Sequence, residues 1–144
     1  MSNSRIKYKN GLTYCSSSVS NMEFHIVWCT KYRYQGLNET ERSWLTEEII
    51  KIAKDNDCIV KNIKVMPNHV HMLISVTPKI AISAIVKKIK GTTGRRLFTK
   101  FPDMKDKFWH HHVWSPSYFV NTVGAVNEDV VAHYIDTQWE RPFK

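Results

Sequence analysis

Two histidines one residue apart, His69 and His71, lie in the apolar run Pro67-Asn68-His69-Val70-His71-Met72-Leu73-Ile74. Side chains alternate faces along a β-strand. Both imidazoles therefore project from one side, while Val70, Met72, Ile74 and Val76 project from the other. Two imidazoles side by side can chelate one divalent ion, although the same pattern also suits two polar residues on a wet sheet face. A second cluster is electrostatic. Between positions 87 and 107 stand Lys87, Lys88, Lys90, Arg95, Arg96, Lys100, Lys105 and Lys107, opposed only by Asp103 and Asp106. Such a run is either a footprint for a polyanion or a solvated helix face. The first five of these cations are its candidate phosphate contacts. Other side chains carry weaker signals. His110, His111 and His112 are consecutive and do not converge on one ion, so they read as a polar loop or a patch facing a nucleic acid. Tyr118 reads as packing. His25 reads as structural, although it can neighbour the site. Trp28, Trp44 and Trp109 read as core.

The elements that must position these groups follow from pattern. Residues 22–30 (MEFHIVWCT) are rich in β-branched and aromatic types and predict a buried strand. Asn38, with Glu41 three residues on, predicts a capping box opening a helix with an apolar stripe at Leu45, Ile49, Ile52 and Ala53. Asp55-Asn56-Asp57 breaks it. Strands are predicted over 58–66 and 69–76, joined at Met66-Pro67-Asn68. Thr77-Pro78 opens a second helix carrying Ile82, Ile85, Val86 and Ile89. Gly91 and Gly94 are expected to kink or interrupt it before Leu97, Phe98 and Phe101 resume the pattern. Pro102 ends that helix, and the stretch to Pro116 reads as irregular. A fourth strand is predicted over 117–123. Asn127 is expected to cap a last helix reaching about Gln138, with Val130, Val131 and Ile135 as its core stripe. The order is βαββαβ plus one helix. The fold class is α+β: a ferredoxin-like antiparallel sheet with two helices on one face and an additional C-terminal helix. Residues 1–20 are expected to form a loose arm, and 21–144 a single domain.

Composition narrows the function classes. The chain has 144 residues, 42% hydrophobic and 24% charged, enough to bury a core without disulfides or a structural metal. Twenty-one Lys and Arg against thirteen Asp and Glu give a net charge of +8 and a pI near 9.5. No apolar run is long enough to span a bilayer, and the polar first twenty residues lack a signal-peptide core. Cys15, Cys29 and Cys58 are an odd, scattered set without a CxxC pair and read as reduced thiols. A cytoplasmic protein is expected. No GxxxxGK[ST] loop is present, so no nucleotide cofactor is expected.

Several motifs in order carry a family likeness. FHIVWCTKYR, VMPNHVHMLIS, KGTTGRRLF, WSPSY (residues 114–118) and HYIDTQ near the end resemble the HUH-class single-tyrosine transposases, the TnpA enzymes of the smallest bacterial insertion sequences. The likeness extends from Met22 to Gln138. It implies that His69 and His71 are metal ligands, that Tyr134 on the last helix is the nucleophile, and that Gln138 is a third ligand. Spacing agrees with the last pair, because residues i and i+4 share a helix face. A packed amphipathic tyrosine is the plainer reading of Tyr134 alone. The resemblance further implies Mg²⁺ or Mn²⁺, although imidazoles equally suit softer metals. It implies cleavage and rejoining of single-stranded DNA with hairpin ends through a 5′-phosphotyrosine. The short Gly124-Ala125-Val126 connection makes Gly124 a candidate pivot that could deliver Tyr134 to its own sheet or a partner's. The resemblance implies the latter, a homodimer in which one subunit's tyrosine helix meets the other's histidine pair. Two other readings stay open: a domesticated relative acting on genomic repeat hairpins, and a non-catalytic module that binds single-stranded nucleic acid.

Overall fold

Alternation along Met22–Cys29 makes this strand the centre of the sheet: Ile26 and Trp28 enter the core on one face, while His25, Val27 and Cys29 take the other. The computed structural model describes residues 7–9, 12–108, 112–122 and 134–136. In chain order these hold β1 (Lys7–Lys9), β2 (Leu12–Tyr14), β3 (Val19–Ser20), β4 (Met22–Cys29), α1 (Glu39–Asp55), β5 (Ile59–Met66), β6 (His69–Val76), α2 (Ile82–Lys100), α3 (Met104–Lys107) and β7 (Phe119–Thr122). The main sheet has four strands in the order β5-β6-β4-β7, every neighbouring pair antiparallel. Strands β4, β5, β6 and β7 with α1 and α2 form the βαββαβ unit, so the fold is the α+β ferredoxin-like arrangement that the pattern predicts. Residues 134–136 are helical, and the rest of the predicted last helix, from Asn127 to Gln138, lies outside the described residues.

The core lies between one sheet face and the two long helices. Ile26, Trp28, Val70, Met72, Ile74 and Val76 meet Leu45, Ile49, Ile52 and Ala53 of α1 and Ile85, Val86, Ile89 and Leu97 of α2. Helix α1 starts where the capping box places it. Asn38 Oδ1 accepts from the Glu41 backbone N–H at 2.8 Å, and Glu41 Oε1 accepts from the Asn38 N–H at 2.9 Å. Glu41 is nevertheless buried, and both its oxygens accept from Lys107 Nζ at 2.8 Å, which ties α3 to the start of α1.

Three expectations change. Helix α2 begins after Ala81 rather than at Thr77-Pro78, and it runs unbroken through Gly91 and Gly94. Tertiary contacts outweigh the weak helix propensity of glycine there. Thr93 Oγ1 donates to the Ile89 carbonyl at 2.7 Å and accepts from Trp114 Nε1 at 3.0 Å, and Leu97 is fully buried. The stretch between Pro102 and Pro116 contains the one-turn helix α3, anchored by buried Met104. The first twenty residues include an antiparallel three-stranded sheet, β1-β2-β3, where a loose arm was expected. Buried Thr13 joins this sheet to β6 by a 2.8 Å hydrogen bond between Thr13 Oγ1 and Ser75 Oγ. Among the described residues no helix is long and apolar enough to cross a membrane.

Candidate active site

Register builds the site. Cys29 of β4 stands opposite His69 of β6, and Val27 opposite His71, while on its other edge β4 places Val27 opposite Phe119 of β7. Directly paired residues share a face. His69, His71, Val27, Cys29 and Phe119 thus form one surface, turned away from α1 and α2. As alternation predicts, both histidines are part-exposed, whereas Val70 and Met72 between and beside them are buried.

The two imidazoles have different surroundings. Nδ1 of His69 lies 2.8 Å from Asn68 Oδ1. An amide oxygen only accepts, so Nδ1 carries the proton and Nε2 presents a lone pair. Nε2 of His71 lies 3.4 Å from Nδ1 of His25, with ring centroids 5.6 Å apart. Burial, then the neighbouring His71, holds His69 below the usual imidazole range. Burial also leads for His71, followed by His25 and Lys64. Both rings are therefore neutral at pH 7, the form that can ligate a cation.

Tyr134 packs on the same face. It is buried against Val27 and Cys29, with its ring 5.4 Å from that of Phe119. Its hydroxyl hydrogen-bonds to Ser117 Oγ at 3.1 Å. Two residues on, Asp136 pairs with Arg33 at 3.1 Å. The structure thus brings Tyr134 and the histidine pair onto one sheet surface of one chain. Gln138, the implied third ligand, lies outside the described residues, as do Gly124, Trp109, His110, His111 and His133. Among the described residues no three His, Cys, Asp or Glu side chains are grouped to hold a metal. The donor set present is two neutral imidazoles. This fits a divalent cation that takes its remaining ligands from elsewhere.

Of the five cations proposed as phosphate contacts, Lys87, Lys88, Arg95 and Arg96 are exposed on α2. Arg96 also pairs with Glu48 of α1 at 2.6 Å. Lys90 is different: its ammonium donates to the carbonyls of Ser115 at 2.7 Å and Ser117 at 2.9 Å. Burial pushes Lys90 down to about 8, with Cys29 pulling the other way. Residues that sequence reasoning passed over are Asn68 and Ser117, whereas His25, read as structural, does neighbour the site. Alternation along β4 already put His25 on the face of Val27 and Cys29. The β4–β6 register sets His25 opposite Leu73, and its contact with His71 is made diagonally across the two strands.

Comparison with known proteins identifies the family. Residues 18–138 match the family model described as IS200-like transposase. The ISDra2 transposase TnpA of Deinococcus radiodurans is 38% identical over 123 residues, covering 85% of this chain and 88% of that protein. The transposase for insertion sequence element IS200 of Salmonella typhimurium is 29% identical over 120 residues, covering 83% and 78%. Among solved structures, a protein from Deinococcus radiodurans R1 described as a transposase superposes with a TM-score of 0.80 at 35% identity, over 87% of this chain and 96% of that one. A REP-associated tyrosine transposase bound to a REP hairpin shares the fold, with a TM-score of 0.51 at 19% identity, over 94% and 69%. The chain belongs to the family of IS200-like transposases.

Proposed function

We propose that this transposase cleaves and rejoins single-stranded DNA at the hairpin-bearing ends of an insertion sequence, with Tyr134 as its nucleophile. The observation that carries the reading is the shared sheet face of Tyr134, His69 and His71. The Tyr134 oxygen attacks the scissile phosphorus, its proton leaves, and the bond to the 3′ oxygen breaks. A 5′-phosphotyrosine and a free 3′-OH result. The covalent link conserves the phosphodiester, so rejoining by a 3′-OH needs no nucleotide cofactor. His69 and His71 would hold Mg²⁺ or Mn²⁺, with Gln138 as the third ligand. When bound, such a cation would supply Lewis-acid charge at the scissile phosphate. Asn68 keeps the His69 ring in its ligating tautomer, and Ser117 holds the Tyr134 hydroxyl in place.

The 38% identity to an insertion-sequence transposase, over 88% of that protein, supports insertion-sequence ends as substrate. A homodimer belongs to the same reading. The deciding experiment incubates the protein with labelled single-stranded element ends, with and without Mg²⁺. A metal-dependent covalent adduct on a denaturing gel is expected, and its absence with every end tested would sink the reading.

A further inference from the structure

Helix α2 turns its cations in two directions. Lys87, Gly91, Arg95 and Phe98 recur at helical spacing on one stripe, while Lys88, Thr92 and Arg96 follow on the next. The second stripe faces α1, where it shares a small hollow with Lys51 and Asp55 and where Arg96 meets Glu48. The first lines a groove of about 1120 Å³ between α2 and residues 112–118. Among the described residues no acid lines this groove, whereas Lys31, Lys87, Lys90, Arg95 and His112 do. Its walls are tied together. Lys90 bridges from α2 to the Ser115 and Ser117 carbonyls, and the Trp114 indole N–H reaches Thr93. Phe98 on one wall and Tyr118 on the other add aromatic surface beside the charge.

We propose that this groove binds a segment of single-stranded DNA, with Lys87 and Arg95 on its phosphates and an unpaired base against Phe98 and Tyr118. The assignment rests on the DNA-cleaving reading above and narrows it: the cations of the second stripe take no part. A groove without acids attracts a polyanion, and aromatic walls select one whose bases are free to stack. Lys90 acts as a strut between the walls rather than as a phosphate contact.

The test compares two double variants of equal charge change, K87A/R95A and K88A/R96A, in the Tyr134→Phe background so that binding is read without cleavage. Fluorescence anisotropy with a single-stranded oligonucleotide is the readout. K87A/R95A is expected to weaken binding about tenfold or more and to reduce the slope of log K against log salt by about 1.4, at about 0.7 per single-strand contact. K88A/R96A is expected to change affinity by less than about threefold. Equal losses in both, or a larger loss in K88A/R96A, overturn the assignment. An abasic oligonucleotide of the same length, bound about fivefold or more weakly than its base-containing parent, supports the stacking wall. Equal affinity for the two, or for a fully paired duplex, overturns it. Adduct formation by the wild-type protein is scored separately. If no adduct forms while K87A/R95A still loses binding, the catalytic reading falls and the groove stands.

Discussion

In the proposed metal site, proton and cation would compete for the same nitrogens of His69 and His71. Both groups are held below the ordinary value of 6.5, chiefly by burial. Metal affinity is therefore expected to stay level as pH falls to about 6.5 and to drop only below it. Calorimetric titration with Mn²⁺ between pH 7.5 and 5 checks this, and a loss centred above 6.5 would contradict it. The linkage has the same sign for stability. The unfolded chain takes up these protons first, so the metal-free protein loses stability as pH falls below 6.5. His69→Ala or His71→Ala should each cut Mn²⁺ affinity by more than about tenfold. Tyr134→Phe removes one oxygen and should abolish the covalent adduct while leaving DNA affinity within about twofold. Undiminished adduct would move the nucleophile elsewhere, with Tyr118 the next candidate. The thiols also separate. Burial pushes Cys29 up to about 11 and Cys58 up to about 12, so neither is a thiolate at pH 8. Iodoacetamide should label Cys15 alone in the native protein and all three cysteines after denaturation, as read by intact mass.

Helix α1 shows how far local pattern reaches. Asn38→Ala removes one half of a reciprocal cap and should cost about 1 kcal/mol of stability, measured by urea unfolding. Glu41→Ala should cost more, about 3 kcal/mol, because it also strips buried charge from Lys107. The cap was legible because its two partners are three residues apart. The strand of the histidine pair was legible because alternation needs no distant information. Where the reading changed, the deciding contact was remote in sequence. Gly91 and Gly94 stay helical because Thr93 meets Trp114, twenty-one residues on. Lys7–Lys9, Leu12–Tyr14 and Val19–Ser20 form strands, and Thr13 meets Ser75, sixty-two residues on. His25 adjoins His71 across forty-six. Neither propensity nor spacing encodes such pairs, and they also set the surroundings of the candidate site.

For the whole molecule, the question is which sheet receives the tyrosine. Here Tyr134 rests on its own chain's Val27 and Cys29, whereas the family likeness implies exchange between two subunits. Co-expressed Tyr134→Phe and His71→Ala chains decide it. If the site forms across the dimer, mixed dimers contain one intact site and regain about half the wild-type cleavage per dimer. Purified mixed dimers that stay inactive, while each parent binds DNA, place the site within one chain. The small sheet at the chain's beginning reaches the same face. The family match starts at residue 18, which leaves β1 and β2 outside it. Yet Thr13 rests on Ser75, a residue on the same side of β6 as the two histidines, six positions from His69 and four from His71. One edge of the face that carries the histidines is thus bordered by a segment outside the family match. A change at Thr13 would therefore reach this face from outside the family match, without touching either histidine or the tyrosine.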